Sequence, residues 1–162
     1  MSHNKDTARK TNALRAVEAA GLPHRFIAFD CPEAISATEV AARLGQNPDR
    51  VFKTLVTRSR AGEPLVFMIP AACGLDLKKA AAAAGAKSVD MLKSRDLFPL
   101  TGYVHGGCSP IGMKTLFRTF VDETALLHET ILFSGGRIGC QLEMSPPDLA
   151  RLIPLTFADL TC

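Results

Sequence analysis

The strongest constraint in this chain is a pair of apolar runs, Val51-Phe52-Lys53-Thr54-Leu55-Val56-Thr57 and Leu65 to Ile69, separated by Arg60-Ala61-Gly62-Glu63-Pro64. β-Branched and aromatic side chains favour extended backbone, and the glycine and proline between the runs supply a turn, so the pattern predicts an antiparallel hairpin. The first strand carries apolar groups on both faces, with Lys53 set among them. Such a strand belongs in the interior of a packed protein.

Composition bounds what can surround the hairpin. The chain has 162 residues, 47% apolar and 22% charged, which suits one compact domain over residues 1–162 burying roughly 70% of the unfolded chain's surface. Disordered, collagen-like and disulfide-scaffold classes need a different composition. The net charge of +3 is uneven, with 12 basic and 8 acidic residues in 1–81 against 7 and 8 in 82–162. That is compatible with a local phosphate-binding surface without defining one.

Cys31, Cys73, Cys108, Cys140 and Cys162 are odd in number and form no C-x-x-C pair, and the histidines are scattered. The expectation is reduced thiols in a cytoplasmic protein, with no metal and no cofactor. His3, near the terminus, is a poor ligand candidate. The opening segment MSHNKDTARKTNALR lacks an apolar core, so no secretory signal is expected, and Pro64 to Leu75 is too short and too broken to span a bilayer.

The remaining elements follow from capping and periodicity. Residues 5–20 carry helix formers with Leu14 and Val17 on one face, stopped by Gly21-Leu22-Pro23, and Arg25 to Phe29 reads as a strand. Ser36-x-x-Glu39 has capping-box spacing before a helix from Ala37 to Leu44 ended by Gly45. Asp76 caps a helix through the alanine run 80–84, closed by Gly85. A strand is expected over Ser88–Met91 and a helix opened by Ser94. Beyond lie strands over Thr119–Val121, Thr130–Phe133 and Ile138–Met144, the last two joined by the turn Ser134-Gly135-Gly136-Arg137, and a helix after Ser145-Pro146-Pro147-Asp148. The expected fold is α+β, a mixed but mainly antiparallel, barrel-like sheet of about six strands with surrounding helices.

The segment from Gly102 to Gly112 is the most unusual. Its glycines allow backbone amides to approach a carbonyl oxygen or phosphate, although such a loop can also merely turn a corner. Ser134-Gly135-Gly136 reads equally as a plain hairpin turn. Lys53 lies outside any Gly-x-x-x-x-Gly-Lys-Ser/Thr loop, which removes support for nucleotide hydrolysis and leaves an ordinary snorkelling lysine as the alternative. Cys108 with His105 as base is a formal nucleophile pair, but three residues apart on an irregular loop gives no assurance of reach, and a packed thiol is the simpler account. From the residues alone, the result is a glycine-rich ligand-binding cleft with one nearby lysine.

Val51-Phe52-Lys53-Thr54-Leu55, Leu75-Asp76-Leu77-Lys78-Lys79, Gly102-Tyr103 followed by Gly106-Gly107-Cys108-Ser109-Pro110-Ile111-Gly112, and Ser134-Gly135-Gly136 share order and spacing with the YbaK/EbsC family. The chain, from about Asn12 to Leu160, resembles these trans-editing aminoacyl-tRNA deacylases and the editing domain of prolyl-tRNA synthetases. The resemblance implies removal of cysteine from Cys-tRNA(Pro), and from Cys-tRNA(Cys) as a second substrate, with the substrate thiol attacking its own ester to release a thiolactone. It further implies that Lys53 holds the phosphate or ribose of the terminal adenosine, that Thr54 lines the same pocket, and that Gly106, Gly107 and Pro110 shape the aminoacyl site. Ser134 and Gly135 would line it from the second turn. The implied partners are the tRNA acceptor end and prolyl-tRNA synthetase.

Better-known members carry an aromatic residue near Ser36, an aspartate near Gln141 and a tyrosine near Ile27, departures that bear on which amino acid is removed. Two other readings stay open here. One is a deacylase that uses water on another small amino acid such as alanine on tRNA(Pro); the other is a non-catalytic adaptor for tRNA or a synthetase.

Overall fold

The computed structural model describes residues 9–162; His3 and residues 5–8 of the expected first helix lie outside the described residues. Chain order is α1 (Asn12–Ala20), β1 (Arg25–Ala28), α2 (Ala37–Leu44), β2 (Phe52–Ser59), β3 (Pro64–Pro70), α3 (Leu77–Ala84), β4 (Val89–Met91), α4 (Ser94–Thr101), β5 (Thr119–Asp122), a 3-10 turn (Glu123–Leu127), β6 (Ile131–Ser134), β7 (Cys140–Met144), α5 (Pro146–Leu152) and β8 (Leu155–Ala158).

Local chemistry sets most boundaries. The Asp76 carboxylate accepts hydrogen bonds from the Lys78 and Lys79 amides at 2.9 and 3.1 Å, opening α3. Gly45 and Gly85 close α2 and α3 at φ of +63° and +68°, a left-handed conformation that costs glycine nothing. Thr11 caps α1 by accepting from the Leu14 amide at 3.1 Å, so residues 9–11 are not helical and the helix starts later than its helix formers suggest. The capping box of α2 is half formed: the Glu39 amide donates to Ser36 Oγ, but the Glu39 carboxylate accepts the Ser36 hydroxyl instead of a backbone N–H.

The strands form two sheets, ordered β1-β7-β6 and β4-β2-β3-β5-β8. β2 pairs antiparallel with β3 and β4, and β7 antiparallel with β1 and β6, whereas β3–β5 and β5–β8 are parallel. The expected mainly antiparallel α+β fold is therefore present, but two sheets of eight strands replace a barrel-like sheet of six. Among the described residues the sheets are linked by an isolated parallel bridge, Val51 to Leu132, with the Leu132 amide donating to the Arg50 carbonyl, and that does not close a barrel. β8 adds an unexpected strand because this short edge is half-exposed and shows no apolar run.

β3 is the centre of the packing, buried from Leu65 to Pro70. Leu65, Phe67 and Ile69 meet Ala80, Ala81 and Ala84 of α3, whose small side chains let the helix lie close to the sheet. Met68 joins Phe52, Val121, Phe133 and Leu142 in a second core covered by α1 and α5 through Ala13, Leu14, Val17 and Leu149.

Candidate active site

β2 pairs with β3 over Phe52–Arg58 but with β4 only over Thr57–Ser59, leaving the first half of one edge open. Around that edge stand the start of α2, the start of α4, the loop at His105–Cys108, and the Ser134–Gln141 pair of β6 and β7. They enclose a cavity of about 460 Å³. Val40, Val56, Leu92 and Leu97 supply apolar wall, and among the described residues no aspartate or glutamate lines it.

Four residues expected at a site, Lys53, Thr54, Gly106 and Ser134, line this cavity; Gly107, Pro110 and Gly135 do not. Lys53 is half-buried, its Nζ donating to the Ala71 carbonyl at 3.2 Å, and it forms no ion pair among the described residues. Its ammonium is therefore available to an anionic ligand.

The glycines of the loop serve packing as much as ligand approach. The Gly107 amide donates to the Val104 carbonyl at 3.0 Å, so it is not an unoccupied donor. A Cβ on Gly107 would stand 2.9 Å from the Ile138 nitrogen, and one on Gly106 2.7 Å from Ala34 Cβ. Glycine is what lets this loop press on the turn after Ser134. The loop is tied internally by Tyr103, whose hydroxyl donates to the Ile111 carbonyl at 2.6 Å, and Pro110 is buried within it.

The second turn is fixed in the same way. Thr11 Oγ1 donates to the Gly135 carbonyl at 2.5 Å, and Ser134 Oγ accepts from the Gly136 amide at 3.2 Å. A Cβ on Gly135 would lie 2.9 Å from Phe26 Cε2, so this glycine accommodates an aromatic ring from β1, on the far side of β7 in the same sheet.

The structure does not assemble Cys108 and His105 into a nucleophile–base pair. Cys108 and His105 both line the cavity, but no hydrogen bond joins them and His105 is exposed. Burial pushes the Cys108 thiol up to about 12, with only a weaker opposing effect from the Thr101 hydroxyl, so it carries a proton at neutral pH. The Cys108–His105 pair is thus excluded as a resting thiolate–imidazole couple.

Two residues that line the cavity each hold a buried oxygen with no partner among the described residues: Thr54 Oγ1 and Gln141 Oε1. Gln141 is 7% exposed and faces Ile27 and Ser134 across its two strand pairings. Sequence reasoning met Gln141 only as a departure from a family pattern. A bottom-up signal existed, since Gln141 interrupts the apolar alternation of Cys140, Leu142 and Met144 and so marks the opposite face of β7. Ser36 both caps α2 and lines the cavity.

Among the described residues no group of three His, Cys, Asp or Glu could hold a metal ion, and no helix is long and apolar enough to cross a membrane.

A cleft at an open strand edge, furnished with a lysine and a glycine-rich loop, matches a known class. Residues 31–152 match the sequence profile of the aminoacyl-tRNA editing domain, and the chain belongs to that family. It is 44% identical over 158 residues to a protein of Enterococcus faecalis named "Putative Cys-tRNA(Pro)/Cys-tRNA(Cys) deacylase EbsC", covering 97% of this chain and 96% of that one. Among solved structures, hypothetical protein APE2540 superposes with a TM-score of 0.85 at 27% identity, covering 93% of this chain and 99% of its own. A structure titled "putative trans-editing enzyme for prolyl tRNA synthetase" has a TM-score of 0.83 at 24% identity, covering 93% and 95%, and shares the fold.

Proposed function

We propose that this chain is a trans-editing aminoacyl-tRNA deacylase that removes cysteine from mischarged Cys-tRNA(Pro), with Cys-tRNA(Cys) as a second substrate. One observation carries the mechanism: the cavity offers a lysine with no ion-pair partner, but its buried thiol is held protonated and, among the described residues, no carboxylate lines it. A site of this kind can orient a reactive substrate better than it can attack one. The substrate thiol gives up its proton and its sulfur bonds to the ester carbonyl carbon. The ester C–O bond then breaks, the ribose oxygen takes a proton, and cysteine leaves as a thiolactone.

Lys53 holds the phosphate or ribose of the terminal adenosine, and Thr54 lines the aminoacyl end beside it. Gly106 supplies backbone at the cavity wall, while Gly107, Pro110 and Gly135 keep the loop and the turn in place around Ser134. Selection of the proline tRNA falls to the acceptor end and to prolyl-tRNA synthetase in the cytoplasm. Proline and cysteine differ too little in size for a hydrophobic pocket to separate them by more than about 1–3 kcal/mol, which is why a chemical sieve is useful.

The test is turnover on Cys-tRNA(Pro), Cys-tRNA(Cys), Ala-tRNA(Pro) and S-methylcysteinyl-tRNA(Pro). Hydrolysis of the two cysteinyl substrates and not of the S-methyl one is expected. Equal hydrolysis of the S-methyl substrate would replace the thiol mechanism with attack by water, and binding without turnover on any substrate would make the protein an adaptor.

A further inference from the structure

We propose that the exposed side of α4 leads the single-stranded acceptor end of the tRNA into the cavity, with Phe98 stacking on a base next to the terminal adenosine and Arg95 and Lys114 holding the phosphates beside it. The inference rests on the deacylase reading and adds the path by which the nucleic acid reaches the site.

Ser94 and Leu97 of α4 line the cavity. Phe98 follows Ser94 by four residues, which puts it on the same side of the helix and about 6 Å further along. It is 56% exposed, and Val104, next to the cavity-lining His105, is also open to solvent. The Lys114 amide donates to the Thr101 carbonyl at 3.0 Å, at the end of the helix, and its ammonium lies 5.3 Å from the centre of the Phe98 ring. Gly102 gives the lysine room to cross, since a Cβ there would stand 3.3 Å from Lys114 Cγ. An exposed ring with a cation at its face suits a single-stranded nucleic acid, because a base of any identity can stack on the ring while the cation pairs with backbone phosphate.

Charge decides from which side a polyanion can enter. Both α2 and α4 border the cavity, through Ser36 and Val40 on one and Ser94 and Leu97 on the other. Residues 30–49, around α2, hold Asp30, Glu33, Glu39 and Asp49 against Arg43, whereas residues 93–114 hold Lys93, Arg95 and Lys114 against Asp96. None of those three cations forms an ion pair among the described residues. A strand of phosphates is repelled at the first border and drawn to the second. A protein partner would have to match unpaired cations and a ring at once, whereas single-stranded RNA repeats phosphate and base at every nucleotide.

Calorimetric titration of the full chain with two non-hydrolysable 3′-amide analogues, cysteinyl-adenosine and the same group on the trinucleotide CCA, reads this path without relying on turnover. For the unmodified protein the trinucleotide should bind at least tenfold more tightly. Phe98→Ala should shrink that gain to about twofold, and Phe98→Tyr should keep it, because stacking needs an aromatic face. Lys114→Ala should lower the slope of log Kd against log salt by about 0.7, the share of one phosphate on a single strand. Arg95→Glu should weaken trinucleotide binding at least tenfold, and Arg43→Glu, the same charge change at the α2 border, less than threefold.

Equal affinity for the two analogues overturns the path and leaves the deacylase reading intact, as does a Phe98→Ala variant that weakens both by the same factor. Equal losses in Arg95→Glu and Arg43→Glu overturn it too, since net charge alone would then explain the binding. If Phe98→Ala keeps the tenfold gain and instead loses binding to prolyl-tRNA synthetase, the face belongs to a protein partner and the proposal falls. If the analogues behave as expected and Cys-tRNA(Pro) is still not hydrolysed, the deacylase reading fails and the path stands.

Discussion

Two polar side chains on one face of β7, two residues apart, are treated in opposite ways. Glu143 accepts hydrogen bonds from Arg25 at 3.1 Å, Arg50 at 2.9 Å and Thr130 at 2.6 Å, and its carboxylate ties the β1 and β6 sides of the small sheet to the segment before β2. Gln141 is more deeply buried, and its side-chain oxygen has nothing. A polar group whose bonds are all made within the chain is accounted for by structure. One that is buried without a partner, in a residue that lines the cavity, is not accounted for by the contacts of the fold. The comparison separates stability from chemistry along a single strand, and substitutions on each side of it should move one and spare the other.

The largest effect is expected on the cavity side. Lys53 has a single backbone carbonyl as its partner, so Lys53→Ala removes little structure. Removing one such electrostatic contact from an active site costs about 10²–10³ in rate. Deacylation of Cys-tRNA(Pro) should therefore fall at least a hundredfold, while the thermal midpoint stays within about 2 °C, a shift worth less than 1 kcal/mol in a chain of this size. Unchanged turnover would remove Lys53 from the mechanism.

On the other side, Glu143→Gln should leave turnover unchanged and lower stability by about 1–2 kcal/mol, chiefly because the partly buried Arg50 loses its counter-charge, while Arg25 is largely solvent-exposed and adds little. The pH dependence has a definite sign. The Thr130 hydroxyl first, then Arg50 and Arg25, hold the Glu143 carboxyl below its ordinary value of 4.5 against the opposing effect of burial. A carboxyl whose folded pKa is depressed contributes stability that is complete above its unfolded pKa and is lost as pH falls through the folded one. The gap between the two proteins, measured by urea unfolding, should be full at pH 7 and should close below about 4.5. A gap independent of pH would show that shape and not charge is what Glu143 contributes.

This contrast also marks how far the sequence could be read. Elements bounded by local chemistry were legible: Asp76 and Gly85 bracket α3, and the hairpin from Val51 to Ile69 has the register its turn implies. β8 was not, since an edge strand held by parallel pairing to β5 depends on a partner more than 30 positions away. At the site, Lys53 and the glycine loop stood out because their residue types are unusual in their settings. The roles of Gly107 and Gly135 did not, because the sequence shows that a side chain is absent and not what would have collided with it. Here the obstacles are Ile138 and Phe26. Gln141 and Glu143 look alike in sequence, and only the tertiary positions of Arg50 and Thr130 make one satisfied and the other open.

Thr54→Val should produce a smaller change of opposite character to Glu143→Gln. Replacing an unpartnered buried hydroxyl by a methyl group removes an uncompensated polar atom, so stability should hold or rise by up to about 1 kcal/mol. Deacylation should fall severalfold in the same variant. A loss of stability would mean that the hydroxyl is satisfied within the folded protein, and the contrast with Glu143 would lose one of its two open oxygens.

The smallest expected effect concerns the thiol nearest the chemistry. Cys108 lines the cavity, lies three residues from a histidine, and is the residue an attacking-cysteine mechanism would choose. Its surroundings argue the reverse. Val56, Val66 and Tyr103 pack with it, and burial raises its pKa to about 12, so it stays protonated at pH 7. Cys108→Ala should then keep turnover on Cys-tRNA(Pro) within about twofold while costing about 1 kcal/mol of stability through the small void it leaves. A hundredfold loss of turnover with the fold intact would return the nucleophile to the protein. It would also require a base within reach of Cys108 that the resting geometry does not provide. Retained turnover leaves the substrate thiol as the nucleophile, and the cavity wall is then best understood as a surface that orients it.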